Sequence, residues 1–491
     1  MKLKTSTKLS YGVGNLGYAT IAQTVNNFIM FYGTSVLGIS GTLVGLAVAL
    51  SVFWDGISDP VVGYISDKTN SKRFGKRLGF LVFGTIGMVI FNILLWSVPI
   101  DTSEGVKFVW LLVCLLLLET CCTSFATPYT ALGVDIAPDY TEQSKLQGFK
   151  TVFFILGMVL PSVLMMLLMP GGESGQGQFV QSGYINIAYF TSLLCLVAGI
   201  ICVVGTIKNA NNIYKNDIEL PVNKKEKNKS KIDKNSINKD KTSFLNTFFH
   251  IFYTFFLVLK KPNYSHIIIG YSVALISTAF LSSVGMHLFT YAYHFTSKQI
   301  SILMSVLFIS AILSQVVWIH LANRLDKKPA LKISMVVVLV GILLTSLTFI
   351  LRMYVPTNIL FYIVMSTIFV CGFGTGALYS LPMSMYADCI TLDRMKSGAN
   401  KSGIYSGFMT LAYNIANCFA LLVVGILLDV IKFDASQPVQ ALSVQNSLGF
   451  IVFVGCALSI AIGLYIFSKY NIKRSDVLKV KMKNKIDLDE L

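Results

Sequence analysis

Residues 42–65 read TLVGLAVALSVFWDGISDPVVGYI, and residues 66–77, which follow directly, read SDKTNSKRFGKR. The first stretch is apolar and exceeds the length of about 20 residues that a helix needs to cross a bilayer. It does not alternate polar and apolar residues as the strands of a membrane barrel do, so it predicts a helix. The second stretch carries five basic residues. Together they indicate a membrane-spanning helix followed by a basic loop.

The composition of the whole chain favours the same class of protein. Of its 491 residues, 54% are hydrophobic and 13% are charged, and the mean hydropathy is +0.66. About a quarter of the residues of a soluble domain are charged. A soluble protein as apolar as this one would expose apolar surface that it cannot cover. The composition therefore excludes a soluble enzyme, a disordered chain and a disulfide-stapled secreted domain.

Apolar runs of this kind occur six times before a basic central segment and six times after it. We therefore predict an all-α polytopic membrane protein with twelve transmembrane helices in two pseudo-symmetric six-helix bundles. A short repeat supports the symmetry, because a small residue, three others, Asp and Lys follow both the second run, at 63–68, and the eighth, at 322–327. The predicted spans are about 11–33, 42–65, 78–99, 106–133, 148–169, 185–207, 264–290, 299–322, 330–351, 356–387, 403–428 and 444–468.

Positive charge is distributed unevenly between the predicted loops. The two ends, the central segment and the even-numbered loops hold 36 of the 40 Lys and Arg residues. Because cytoplasmic loops carry the excess of basic residues, we expect both termini and the central segment in the cytoplasm. We predict four segments: an N-terminal bundle at 1–207, a basic cytoplasmic linker at 208–262, a C-terminal bundle at 263–468 and a cytoplasmic tail at 469–491.

Acidic residues lie deep in the predicted spans at three positions: Asp55, Asp59 and Glu119. An ionised side chain at mid-bilayer costs about 2.5–3.5 kcal/mol on insertion scales, so these carboxylates need compensation. Asp55 and Asp59 are four residues apart and share one helix face, where two carboxylates favour a bound cation or a shared proton. Counting from the start of each span places Thr123 at the depth of Asp59. The pattern predicts a sodium or proton site; the alternative is a structural carboxyl pair hydrogen-bonded to Ser, Thr or Trp.

The loop after the second span has a pattern of its own. Gly63 permits close approach of a neighbouring helix, and Asp67 can cap a helix end or pair with a basic residue. Arg73, Gly75 and Arg77 follow in the basic run. We interpret these five residues as a conformational latch that does not contact substrate; the alternative is a generic basic loop.

Several motifs resemble the glycoside–pentoside–hexuronide:cation symporter family of the major facilitator superfamily. The resemblance covers the chain except its central segment, and the motif in the second span is the most specific. It implies a bacterial inner-membrane transporter that works by alternating access. The motifs lie at 8–14, 54–60, 128–133, 139–142, 387–388 and 403–405.

This resemblance also assigns roles to residues. It implies cation binding by Asp55 and Asp59, with Ser58 and Thr123 at neighbouring positions and Glu119 beside them. Two acidic residues that hold sugar hydroxyls in melibiose carriers are replaced here by alanine, so the galactoside half of the site is not kept. The candidate substrate-binding positions are Tyr18, Ala19, Ala126, Lys150, Tyr379 and Tyr413. The last three stand where the family has an arginine, a tryptophan and a lysine, respectively.

The sequence thus predicts a secondary active transporter, a sodium- or proton-coupled symporter of a small solute such as a sugar or glycoside. A lysolipid or amphiphile transporter of the same fold and a non-transporting membrane receptor stay open as alternatives. Neither a zinc-binding His pair nor a nucleophilic serine motif stands out, so we do not expect an enzyme. We expect no cofactor and no metal beyond a sodium ion. The expected partners are the solute and the lipid bilayer, without nucleic acid, and we expect a monomer.

Overall fold

The computed structural model describes residues 3–69, 77–137, 140–169, 175–219, 253–397, 402–434, 437 and 439–476. Within these ranges the chain forms twelve long helices, with a short additional helix at 253–259. In chain order the long helices are α1 (Thr5–Phe31), α2 (Gly41–Lys68), α3 (Leu78–Trp96), α4 (Glu104–Ile136), α5 (Tyr140–Leu168), α6 (Gln181–Glu219), α7 (Pro262–His287), α8 (Ser297–Leu325), α9 (Lys327–Leu351), α10 (Thr357–Ser397), α11 (Ser402–Val430) and α12 (Leu442–Ser468).

The described residues include no β-strand, and α2 to α12 are each long and apolar enough to cross a membrane. The prediction of an all-α polytopic membrane protein is confirmed. Helix α1 is long enough but less apolar, because it carries residues such as Asn15 and Asn27. Both asparagines are buried inside the protein, so α1 does not present their amides to lipid.

The helices pack as two bundles related by a shift of six helices. In the first bundle α1 contacts α5 and α6, α2 contacts α4, and α3 contacts α4 and α6. In the second, α7 contacts α12, and α10 contacts α8 and α9. The contacts between the bundles have the same symmetry. The contact of α2 with α11 is equivalent to that of α8 with α5, and α1 contacts its own equivalent, α7.

The described helices extend into the segment predicted as the linker. Helix α6 continues to Glu219, past residue 207, where we expected the first bundle to end. Residues 220–252 of the predicted linker and 477–491 of the predicted tail lie outside the described residues.

The two faces of the protein differ in how the bundles meet. We call the face near the chain termini the basic face and the other the opposite face. At the opposite face the Asp429 carboxylate of α11 accepts hydrogen bonds from the backbone N–H groups of Gly41 (2.7 Å) and Thr42 (2.8 Å) at the start of α2. Thr34 Oγ1 lies 2.7 Å from His287 Nε2 across the same boundary. The bundles are therefore closed against each other at the opposite face.

Glycines allow α2 and α11 to approach closely just below this closure. A Cβ atom on Gly45 would lie 2.9 Å from the Cα atom of Gly425, a distance that real Cβ atoms essentially never show. Gly41 and Leu428 meet in the same way one turn nearer the opposite face. The α2–α11 contact therefore depends on residues without a side chain, as close helix crossings in membranes do.

Candidate cation and substrate site

The candidate cation site lies where α2 faces α4. Asp55 and Asp59 stand one helical turn apart on α2, and two threonines stand one turn apart on α4. Thr123 donates a 2.9 Å hydrogen bond to Asp55 Oδ1, and Thr127 donates one of 2.9 Å to Asp59 Oδ1. Each carboxylate is thus held by a hydroxyl from the neighbouring helix.

Ser58 adds another oxygen to this group. Its hydroxyl is 4% exposed and lies 3.0 Å from Thr123 Oγ1, and it is 3.2 Å from the backbone oxygen of Asp55. Carboxylate and hydroxyl oxygens are the ligands that hard cations such as Na⁺ accept. The predicted residues Asp55, Asp59, Ser58 and Thr123 therefore lie together in the structure.

Glu119 stands beside this group, on α4. It interacts electrostatically with both aspartates, and no described residue gives it a hydrogen bond. Within the described ranges, no three Asp, Glu, His or Cys side chains come close enough to hold a metal ion. Glu119 therefore lies near the aspartates without completing a three-carboxylate centre with them.

The second bundle reaches the site through Asn414 of α11. Its amide Nδ2 donates a 3.2 Å hydrogen bond to Asp55 Oδ2, and the side chain is 8% exposed. We did not predict this residue. The resemblance named the adjacent Tyr413, but as a substrate-binding position. The contact of Asn414 with Asp55 depends on how α11 packs on α2, which the sequence does not give.

A strip of α4 separates the cation site from α1. Phe125 and Tyr129 of α4 stack on Tyr18 and Tyr11 of α1, with ring centroids 6.3 and 4.4 Å apart. The α4 hydroxyls that bind Asp55 and Asp59 contact α2. At 100° per residue, a strip made of Glu119, Ala126 and Thr130 lies between these two contacts. Because α1 and α2 both contact the second bundle, this strip of α4 faces the space between the bundles.

The predicted substrate residues of the first bundle are divided. Tyr18 stacks on Phe125 of α4, beside the strip. Ala126 is half-buried on the strip of α4. Ala19 is buried in the contact of α1 with α5. A Cβ atom placed on Gly157 of α5 would lie 2.7 Å from the Cβ of Ala19. The structure therefore brings Tyr18 and Ala126 to the same region and leaves Ala19 outside it.

Lys150 extends from α5 to the strip of α4. Its ammonium donates a 2.9 Å hydrogen bond to Thr130 Oγ1 and lies 5.2 Å from the centre of the Tyr129 ring. The backbone of the same lysine is fixed to α1, because Asn15 Nδ2 donates to the Lys150 carbonyl oxygen at 3.1 Å.

Tyrosines form the corresponding surface in the second bundle. The rings of Tyr271 and Tyr413 lie 6.2 Å apart, and Tyr379 lies near both. Tyr379 is 41% exposed, whereas Tyr271 is buried. We did not predict Tyr271, which is one of 22 tyrosines and has no motif around it.

The predicted latch residues that the structure describes form an ion-pair cluster at the basic face. Arg77 binds Asp67 at 2.6 Å and Asp135 of α4 at 3.2 Å. Gly63 lies against α4 near Thr127. Arg73 and Gly75 lie outside the described residues. The second bundle repeats the arrangement, because Lys327 at the start of α9 binds Asp388 of α10 at 2.5 Å.

Comparison with known proteins identifies the family. The sequence profile described as "MFS/sugar transport protein" matches residues 10–474. The chain belongs to this family. It is therefore a transporter and not an enzyme, and it is an integral membrane protein.

Two relatives and one solved structure illustrate the similarity. An uncharacterized symporter of Synechocystis is 23% identical over 90% of this chain and 89% of its own length. The sodium-dependent lysophosphatidylcholine symporter 1 of Gallus gallus is 30% identical, but the match covers 33% of this chain and 30% of that protein. The crystal structure of a D-xylose-proton symporter superposes with a TM-score of 0.62 at 12% identity, covering 93% of this chain and 96% of that one. The last comparison shows the shared fold.

Proposed function

We propose that this transporter is a cation-coupled symporter that moves a small solute by alternating access. The observation that supports this most is the position of Asp55 between the bundles. It binds Thr123 within its own bundle and Asn414 of the other one. An ion bound at Asp55 and Asp59 would change the charge at the point where the bundles touch, so it can favour one arrangement of the bundles over the other.

The coupling ion is a sodium ion or a proton. Both explain two neighbouring carboxylates that form no ion pair with Lys or Arg in the part of the chain that the structure describes. Sodium would bind the oxygens of the two aspartates, Ser58 and Thr123 directly, whereas a proton would neutralise one carboxyl group.

A sugar or glycoside is the solute class that we propose first. The rings of Tyr18, Tyr379 and Tyr413 are at least partly accessible and offer apolar faces and hydroxyl groups to such a molecule. A lysolipid is the second candidate. Two observations favour it. One is the match to the lysophosphatidylcholine symporter over part of the chain, and the other is Ala126, which stands where the resemblance expects an acidic residue for sugar hydroxyls.

For the orientation, we propose that the basic face is cytoplasmic and that the protein lies, as a monomer, in a bacterial inner membrane. The supporting observation is that 36 of 40 basic residues fall on that side of the predicted topology. A cysteine introduced at Ser230 tests this orientation. We expect an impermeant thiol reagent added outside intact cells to leave it unlabelled, and strong labelling would contradict the orientation.

Uptake into proteoliposomes tests the function. Proteoliposomes that contain the purified protein are incubated with radiolabelled sugars, glycosides and lysolipids. An imposed sodium gradient, an imposed proton gradient and no gradient are compared. We expect one solute class to accumulate only with one gradient. If neither gradient increases uptake over the level without a gradient, the result would contradict symport and would indicate a uniporter or an exchanger.

A further inference from the structure

We propose that the second bundle binds the headgroup of an anionic phospholipid at the basic face, where α7 and α9 begin and α12 ends. The ligands are four lysines, which we call the lysine cluster: Lys328, Lys332, Lys469 and Lys473. This goes beyond the proposed function, because it concerns the lipid around the transporter and not the solute that it moves.

Hydrogen bonds join the ends of the three helices at this corner. The ammonium of Lys328, the second residue of α9, donates to the carbonyl oxygen of Tyr470 at 2.5 Å, just past the end of α12. The backbone N–H of Asn471 donates to Asn263 Oδ1 at the start of α7, at 3.3 Å. Lys469 directly precedes Tyr470. Lys328 and Lys469 are therefore fixed on neighbouring helix ends.

The other two lysines extend the cluster. Lys332 follows Lys328 by one turn on the same face of α9, and Lys473 lies near Lys328. His266 of α7 lies near both Lys328 and Lys469. Lys332, Lys469 and Lys473 are exposed, so three lysines of the cluster are open to a ligand at the bilayer surface.

Within the described ranges, no carboxylate forms an ion pair with the lysine cluster. The acidic residues at this corner have other partners. Asp388 binds Lys327, and Asp326 and Asp476 accept hydrogen bonds from backbone N–H groups. Like charges that lie close together repel each other, so an anion that binds among the lysines would stabilise their arrangement.

The corresponding corner of the first bundle is neutralised by carboxylates. Arg77, directly before α3, binds Asp67 at 2.6 Å and Asp135 at 3.2 Å. Lys8 of α1 binds Glu142 at 2.6 Å. Helices α3 and α1 are the equivalents of α9 and α7. Basic residues that only set the orientation of the protein need no such difference between the bundles, so the uncompensated charge of the second bundle indicates a ligand.

Exposed apolar side chains continue from the lysines along two helices. On α12 they are spaced by three or four residues from Lys469, and on α9 they are spaced in the same way from Lys332, so each set follows one helix face. Both helices pack against helices of the second bundle, which leaves these faces to lipid. The side chains are Tyr465, Ile462, Leu458, Val336, Val340 and Leu343, each at least 46% exposed.

This combination fits a phospholipid better than a free phosphate. Clusters of about four or more basic residues at the end of a span bind anionic lipid headgroups. The phosphate of such a lipid would lie among the lysines, and its acyl chains would lie along the apolar faces of α9 and α12. A free phosphate would use the lysines alone, so the lipid accounts for both parts of the site.

Lipid titrations of the purified full-length protein in detergent test the proposal. Dioleoylphosphatidylglycerol is compared with dioleoylphosphatidylcholine, which has the same acyl chains and no net charge, and with glycerol 3-phosphate, which has no acyl chains. The rise in melting temperature reports binding, and native mass spectrometry counts the retained lipids. We expect phosphatidylglycerol to act at an at least about tenfold lower concentration than phosphatidylcholine, a difference of about 1.4 kcal/mol. Glycerol 3-phosphate should have no effect at that concentration.

A pair of double variants assigns the effect to the lysine cluster. Lys332→Gln with Lys469→Gln removes two exposed charges and keeps the hydrogen bond of Lys328. Lys4→Gln with Lys208→Gln is the control, because it removes two exposed charges from the first bundle at the same face. We expect the first pair to reduce the preference for phosphatidylglycerol to about threefold or less and the control to keep it within about twofold of wild type. Size-exclusion profiles and melting temperatures without lipid show whether each variant folds.

Four results would overturn the proposal. The first is equal action of phosphatidylglycerol and phosphatidylcholine, and the second is an unchanged preference in the folded cluster variant. The third is an equal loss in the control, which would indicate the general charge of the basic face. The fourth is an effect of glycerol 3-phosphate as strong as that of the lipid, which would indicate a site for soluble phosphate. None of these measurements depends on solute accumulation, so the proposed function stands or falls separately.

Discussion

Asn414 Nδ2 of the second bundle lies 3.2 Å from Asp55 Oδ2 of the first. The same helix pair, α2 and α11, also carries the closure at the opposite face, where Asp429 binds the start of α2. The carboxylate pair and the closure are therefore joined by two continuous helices. A change at Asp55 can reach the closure by moving α2 against α11.

Removal of the Asn414 amide tests this connection. A hydrogen bond to a charged group contributes about 1.5–3 kcal/mol, so Asn414→Ala should weaken the dependence of solute uptake on the ion gradient by at least about tenfold. The oxygen ligands of the ion stay, so ion binding itself should change less. The measurement is the ratio of ion flux to solute flux in proteoliposomes. Asn446→Ala is the control, because Asn446 binds Arg352 at the opposite face, away from the carboxylates. An unchanged flux ratio in Asn414→Ala would show that the contact is incidental.

Asp429 should stabilise the closed opposite face through its negative charge at the helix start. A carboxylate at a helix N-terminus contributes about 0.3–1 kcal/mol, so Asp429→Asn should raise the population that is open at this face by about two- to fivefold. Spin labels at Ser103 and Gln437, one in each bundle, report the opening as a longer distance. Asp101→Asn is the control on the same face. If the distance distribution of Asp429→Asn matches that of wild type, the carboxylate does not hold the closure.

The acid stability of the first bundle should depend on Glu142. Its carboxylate binds Lys8 at 2.6 Å and Lys145 at 3.1 Å, and these partners lower the pKa of Glu142 to about 2. In the unfolded chain a glutamate has a pKa of about 4.3. The stabilising contribution is therefore complete above about pH 4.3 and is lost as the pH falls toward 2.

Melting temperatures in detergent between pH 6 and pH 3 check this. We expect the melting temperature of wild type to fall more steeply with acidification than that of Glu142→Gln, which has no charge to lose. Wild type should also be the more stable of the two at pH 6. Parallel curves for the two proteins would contradict the role of this ion pair.

Much of the architecture could be predicted from sequence because the bilayer imposes it. A span needs about 20 apolar residues, and this requirement located the helices from α2 to α12. Asp55 and Asp59 stood out for the same reason, since ionised groups are rare at that depth. Helices α2 and α4 run in the same direction, and counting along them pointed to Thr123 as level with Asp59. In the structure Thr123 binds Asp55, one turn away, and Thr127 binds Asp59.

Contacts that depend on helix rotation or on the other bundle could not be predicted. Ala19 and Tyr18 are adjacent in sequence, yet Ala19 packs against Gly157 of α5 and Tyr18 stacks on Phe125 of α4. Asn414 and Asp55 are 359 residues apart. A polar amide within an apolar helix was the signal that could have found Asn414, but nothing in the sequence names its partner.

The most direct test of ion coupling is solute accumulation by Asp59→Asn in proteoliposomes under an imposed ion gradient. The substitution keeps the shape of the side chain and removes its charge, while Asp55, Ser58 and Thr123 stay in place. We expect Asp59→Asn to lose accumulation against a concentration gradient and to retain downhill solute exchange, with normal expression and melting temperature. Asp55→Asn should behave in the same way and Glu119→Gln more mildly. Normal accumulation by Asp59→Asn would contradict the coupling role, and the two aspartates would then be a structural pair.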